Sequence, residues 1–296
     1  MNSRPMTSHS TNPSSRQRSQ VRLRVGIVVF RWVGLAALLV FALFPCYWML
    51  VSSLRPPREL FTVPPRLFPE ALTIEWYEVV LRTTRMPRYF LNSAVISTAS
   101  MIVSLVIATL GAYSLSRFRY PGQQVLLLGA LTSYVLPPVL LLLPLYLTLG
   151  RLGLINSYAG VIVTHITITL PFCLWLLRSF FRTIPVDLEE AAMIDGNGRL
   201  GAFVRITLPL TLPGILSTGL FGFILSWNEY LFASVLLTGE ARKTVPIGIA
   251  EFIMQFDIRW GEVMAASSLA TIPVVILFAL IQRHFVRGLM AGAIKG

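Results

Sequence analysis

The first twenty residues, MNSRPMTSHSTNPSSRQRSQ, are polar and serine-rich, carry no apolar period and read as a disordered tail. Six apolar runs follow, at about residues 32–54, 91–115, 125–149, 157–177, 211–237 and 263–282. Each is long enough to cross a bilayer as a helix, which takes about 20 residues. The pattern predicts an all-α, polytopic membrane protein of six transmembrane helices. It divides into a tail (1–24), a transmembrane domain (25–282) interrupted by a polar loop (183–209), and a short C-terminal tail (283–296). The first run is too long for the roughly 7–15-residue apolar region of a signal peptide, and no small-x-small cleavage site ends it. Prolines fall within the later runs: Pro137, Pro138 and Pro144 in the third, then Pro171, Pro213 and Pro273. Each removes a ladder hydrogen bond and favours a kink, tolerated in a membrane where neighbours or cavity water satisfy the freed carbonyls.

Composition agrees with a membrane class, with 55% hydrophobic and only 13% charged residues. A soluble domain carries about 25% charge. The net charge of +12 raises nucleic-acid binding as an alternative, but the basic residues flank the apolar runs, where anionic lipid attracts them. No basic, aromatic face suited to a groove or single strand is present, so no nucleic-acid partner is expected. Cys46 and Cys173 both sit inside apolar runs, which argues against a disulfide framework and against a metal site. Placing the N-terminus inside puts 15 Lys and Arg in cytoplasmic segments against 10 outside, with 4 acids inside against 8 outside. The positive-inside rule then makes both termini cytoplasmic.

The four cytoplasmic acids, Asp187, Glu189, Glu190 and Asp195, all lie in one loop. Asp187 is placed to cap a short helix with Glu190 at its N3 position, and Gly196 to end it. A second short helix at about Leu200 to Thr207 leads into Pro209 and the fifth span. Helix capping accounts for Asp187 and Gly196. It leaves Ala191 and Ala192 as exposed small residues beside carboxylates, a surface that admits a close partner backbone and offers acceptors to its Arg or Lys.

From Glu190 the loop reads E-A-A, three residues, Gly196, nine residues, Ile206, one residue, then Leu208-Pro209. That spacing resembles the EAA motif of the permeases of binding-protein-dependent ABC importers. The stretches NSAVISTASMIVSLVIATLGAYSLSRFRYPG (92–122), WNEYLFASVLLTG (227–239) and VRGLMAGAIKG (286–296) resemble the carbohydrate-uptake, MalG-like branch. The resemblance implies the type I ABC importer permease fold, a bacterial cytoplasmic membrane, and a sugar, oligosaccharide or related polyol or glycerol derivative as substrate. As partners it implies a dimer of ABC ATPase subunits, a second homologous permease and a periplasmic or lipid-anchored solute-binding protein. No cofactor is implied. It makes the loop the coupling helix, with Glu190 pairing a basic ATPase residue, Ala191 and Ala192 in close contact, Gly196 at the turn, and Glu189 and Asp195 beside them. The C-terminal tail, through Gly288, Gly292 and Lys295, would reach the ATPase. No GxxxxGK[ST] occurs in the chain, so ATP hydrolysis must come from a partner.

Polar residues within the spans are candidates for the translocation path. Glu229 is the only carboxylate in a predicted span, flanked by Asn228 and Tyr230 and about 12 Å from the span's outer end at about 1.5 Å per residue. Tyr134, His165 (in a strip with Thr164, Thr167 and Thr169) and Ser268 complete the set. An interhelical bond fixing the bundle explains Glu229 equally well, and threonine-to-backbone bonds explain the strip. Within transport, a permease for a polyamine or anion is the alternative; a secondary transporter or channel leaves the acidic loop unexplained. A membrane enzyme is disfavoured, since His9, His165 and His284 are scattered and no nucleophile–base pair, paired carboxylates or metal ligands assemble.

Overall fold

The computed structural model describes residues 13–254 and 258–293, with side chains described for 28–253 and 258–282. Twelve α-helices are described: α1 Pro13–Ser53, α2 Glu75–Glu78, α3 Met86–Arg117, α4 Gln123–Val135, α5 Pro138–Arg151, α6 Tyr158–Thr183, α7 Asp187–Ile194, α8 Arg199–Ala202, α9 Leu208–Trp227, α10 Leu231–Leu236, α11 Val245–Met254 and α12 Trp260–Ala293. No strand occurs among the described residues. The chain divides into two compact units, one ending at Val51 and one running from Ser52.

In the first unit, α1 starts at Pro13, so residues 13–24, expected in the disordered tail, are helical. Gln, Arg and Val there continue a helix already committed by the apolar run, at little propensity cost. In the second unit α12 likewise carries helix past residue 283 into the expected C-terminal tail.

Among the described residues five helices are long and apolar enough to span a bilayer: Val28–Ser53, Met86–Arg117, Tyr158–Thr183, Arg199–Trp227 and Trp260–Gln282. The third predicted span is a broken pair, α4 and α5, bent by 104°. The break sits at Leu136, which is extended, and Pro137, which is also outside the helical region. Two successive prolines remove two donors and push the preceding residue out of the helical region. Pro144, Pro171, Pro213 and Pro273, by contrast, lie inside continuous helices.

The second unit is built on α3, which packs against α6 and α9, with α9 also against α12 and α4 against α6. Its buried face reads Ser93, Ser97, Ser100, Ser104, Ala108 and Ala112. These residues are three or four apart, so small side chains form one stripe and let neighbouring helices approach closely. Gly214 of α9 shows how close: a Cβ there would lie 2.5 Å from the Phe180 ring. Three apolar clusters follow the bundle. Met86, Tyr89, Phe223, Trp227 and Phe252 join α3, α9 and α11. Ile96, Leu149, Val161, Phe232 and Leu236 join α3, α5, α6 and α10. Ala108, Ala112, Cys173, Leu177, Phe181 and Phe203 close the end from which α7 projects.

Candidate functional site

Helix α7 is eight residues long, too short to hold itself in water, so its neighbours must fix it. Its start differs from the capping expectation: Val186 occupies the N-cap, in a helical conformation and with no side-chain cap bond, and Asp187 is already the first helical residue. Val186 accepts from the amides of Glu189 at 2.9 Å and Glu190 at 3.1 Å. The three acids of the first turn therefore act on the helix dipole instead of capping it.

The end of α7 follows the expectation. Gly196 adopts φ 89°, its amide donates to Met193 at 3.1 Å, and the Asn197 amide donates to Ala192 at 3.0 Å. That pair of bonds is a Schellman motif, and its left-handed position is the one glycine fills without strain. The Asn197 side chain reinforces the turn, with Nδ2 donating to Ala192 O at 3.1 Å and Oδ1 accepting from Arg205 at 2.8 Å.

Helical periodicity splits the acidic loop into two faces. Glu190, Ala191, Asp195 and Gly196 are exposed, as is Ile194 at 86%. Ala192 is buried, which corrects its expected place on a docking surface. Glu189 is also corrected: its carboxylate turns inward. Glu189 Oε1 accepts from Arg117 Nε at 2.6 Å and from the Thr207 hydroxyl at 2.7 Å. Its Oε2 accepts from the Tyr113 hydroxyl at 2.9 Å. Both members of the Arg117–Glu189 pair have side chains only 7% exposed. Arg117 and Tyr113 were not legible as partners, because they lie 72 and 76 residues away in the chain.

Glu229 lies beyond the end of its helix, since α9 stops at Trp227 and α10 begins at Leu231. The predicted single span 211–237 is thus broken at residues 228–230, and the carboxylate serves the new helix start. Glu229 Oε1 accepts from the Phe232 amide at 2.8 Å and Oε2 from the Ala233 amide at 3.0 Å. The same Oε2 lies 3.1 Å from Nε2 of His165 on α6, whose Nδ1 lies 2.6 Å from the Ser226 hydroxyl. A carboxylate only accepts, so Nε2 carries the shared proton, and the Ser226 hydroxyl, able to donate or accept, completes the contact at Nδ1. His165 and Glu229 therefore join α6 to the α9–α10 break. Ser226 is the partner that sequence reasoning missed.

The other polar candidates do not converge on this pair. Tyr134 packs against Phe172, ring centroids 5.7 Å apart. Asn228 is exposed and donates to Ile224 O at 3.0 Å. Tyr230 is exposed at 37%, and the buried Ser268 hydroxyl has no partner among the described residues. Gly288 and Gly292 fall in the last turns of α12, while Lys295 lies outside the described residues.

The opposite end of the bundle is stitched to the segment before α11. Asn92 donates to Ala241 O at 3.1 Å and Lys243 O at 2.8 Å and accepts from the Tyr158 hydroxyl at 2.6 Å. Lys243 bonds both Glu240 and Glu251.

Comparison with known proteins places this geometry. Residues 100–290 match the family described as binding-protein-dependent transport system inner membrane component. The chain is 39% identical to the inner membrane ABC transporter permease protein YcjP of Escherichia coli, over 90% of this chain and 95% of that one. It is 36% identical to the trehalose/maltose transport system permease protein MalG of Thermococcus litoralis, over 94% and 99%. The fold is that of a crystallised bacterial ABC transporter involved in import of the acidic polysaccharide alginate, at a TM-score of 0.73 and 23% identity, over 95% of this chain and 100% of that one. An EAA-type loop on a bundle of apolar spans, with relatives matched along nearly their whole length, makes this chain a multi-pass membrane permease of the binding-protein-dependent ABC transporter family.

Proposed function

We propose that this permease imports a sugar, an oligosaccharide or a related polyol or glycerol derivative, across a bacterial cytoplasmic membrane. A solute-binding protein delivers the sugar, and an ATPase dimer docked on α7 supplies the energy. The observation that carries the reading is the outward face of α7. Glu190, Ala191, Ile194 and Asp195 are exposed on a helix whose inner face and C-terminal turn are fully bonded. A rigid surface of two carboxylates, one alanine and one large apolar side chain suits a cleft with a basic residue at its rim. A second six-span permease completes the pathway, and both termini face the cytoplasm with α7.

The substrate class rests on the similarity to a trehalose/maltose permease and on the scarcity of charge in the spans, since an uncharged sugar needs hydroxyl, amide and aromatic partners. The test is uptake of radiolabelled maltose and trehalose by cells expressing the complete transporter, competed by unlabelled di- and oligosaccharides, a polyamine and an inorganic anion. Competition by saccharides alone is expected. Competition by the polyamine or the anion alone contradicts the sugar assignment and leaves the permease assignment standing.

A further inference from the structure

The buried face of α7 has a job that docking does not explain. The connectors that hold α7, Ile184 to Val186 and Asp195 to Gly198, are short and carry Pro185, Gly196 and Gly198. An eight-residue helix on such connectors would pivot when pushed, and the push would be spent in the loop. Every route for that pivot is braced by a side chain. Glu189 receives Arg117 and Tyr113 from the last turns of α3 and Thr207 from the root of α9. Arg117 Nη2 also donates to Ile184 O at 3.1 Å, which pins the first connector. Asn197, bonded to Ala192 and to Arg205, pins the second. Tyr113 packs tilted against Phe203 at 4.4 Å and edge-on against Phe181 at 5.9 Å, centroid to centroid, and so ties in the end of α6.

We infer that Glu189 is a positioning residue and that its buried pair with Arg117 is the joint that makes α7, the C-terminal end of α3 and the root of α9 move as one body. The inference rests on the reading of α7 as the ATPase-docking helix and adds how its displacement enters the spans. Glu190 faces the partner. Glu189, one residue earlier and about 100° round the helix, faces the transporter. A guanidinium and a carboxylate this deeply buried and this short in contact have no cheap alternative geometry, because parting them leaves both unpaired out of water.

The experiment uses the complete transporter purified through this chain and set in nanodiscs, free and trapped with ADP and vanadate. Hydrogen–deuterium exchange is followed in peptides covering α7, the end of α3 and the root of α9. Arg117→Gln and Glu189→Gln are made singly and together, and the double variant leaves no unpaired buried charge. In the wild type, trapping should change exchange in all three segments. In the double variant, with the ATPase retained, the α7 response should persist while the α3 and α9 responses fall at least threefold. A wild-type response in α3 and α9 overturns the joint. Loss of the ATPase from the double variant also overturns it, since the pair would then only shape the docking surface. Failure of the unmutated chain to retain any ATPase strikes the docking reading first, and is recognised because no substitution is involved.

Discussion

Glu229→Ala isolates what the carboxylate at the α9–α10 break does for the bundle. It removes an acceptor from the amides of Phe232 and Ala233, at 2.8 and 3.0 Å, and from His165 Nε2 at 3.1 Å. Loss of a helix-capping side chain costs about 1 kcal/mol. Leaving a buried polar partner such as His165 unsatisfied costs about 1–3 kcal/mol more, for a total of about 2–4 kcal/mol. For a domain of this size that is a fall of about 5–15 °C in melting temperature. The protein carries its own reporter: Cys173 is buried, whereas Cys46 is exposed. In a Cys46→Ser background, a thiol-reactive dye labels detergent-solubilised protein only as the bundle opens. Glu229→Gln keeps one acceptor oxygen and should fall between wild type and Glu229→Ala. Melting of Glu229→Ala within 2 °C of the parent, with uptake lost, would refute the structural role and leave Glu229 to the translocation path.

Three further substitutions probe other links. Gly196→Ala meets no atom within 4 Å at its new Cβ, so its expected cost is only the left-handed backbone penalty of about 1–2 kcal/mol; a neutral result in the same melt would contradict the Schellman turn. Gly214→Val drives a side chain into the Phe180 ring, 2.5 Å from the Cβ position, and should destabilise by about 1–3 kcal/mol, whereas Phe180→Ala in the same chain should recover part of that loss.

The Glu240–Lys243 contact gives a pH signature. The Lys243 hydrogen bond, against an opposing effect of burial, holds the Glu240 carboxyl below its ordinary range. Burial alone would lower the Lys243 ammonium, but its bonds to Glu240 and Glu251 raise it. The carboxylate contribution is therefore present above the ordinary Glu pKa of about 4.3 and is lost as pH falls through the lowered folded value. The ammonium contribution is present below the ordinary Lys pKa of about 10.4 and is lost as pH rises through the raised one. The stability gap between wild type and Lys243→Met, read by tryptophan fluorescence, should hold at neutral pH and close in acid; a gap constant down to pH 3 would contradict the contact.

Each apolar run of the sequence falls on long apolar helices or, for the third, on a bent pair, because a run of about 20 apolar residues has few other uses. Hydropathy did not show that the third is bent at Leu136–Pro137 while Pro45, Pro144, Pro171, Pro213 and Pro273 pass through intact helices. The difference is local: two adjacent prolines cannot be absorbed where one can. Short helix α11 was hidden in a segment that looked like loop, since its apolar residues become meaningful only against α3 and α12. In the acidic loop the position of the helix, its glycine stop and its outward Glu190 were all legible. Which of two adjacent glutamates turns inward was not, because the deciding partners, Tyr113, Arg117 and Thr207, come from helices distant in the chain. The polar triad of His165, Ser226 and Glu229 was half visible: both titratable members stood out as polar residues in apolar runs, but a serine in a helix does not.

Docking of the ATPase on the outward face of α7 is put to the test by Glu190→Arg. The carboxylate is exposed and its loss costs only its favourable place in the first turn of α7, about 0.3–1 kcal/mol, so the chain should reach the membrane and melt within about 4 °C of wild type. The measurement is the amount of ATPase that co-purifies per permease, with ATP-driven uptake read on the same preparation. The account predicts loss of both. Full ATPase yield with normal uptake in Glu190→Arg would contradict it.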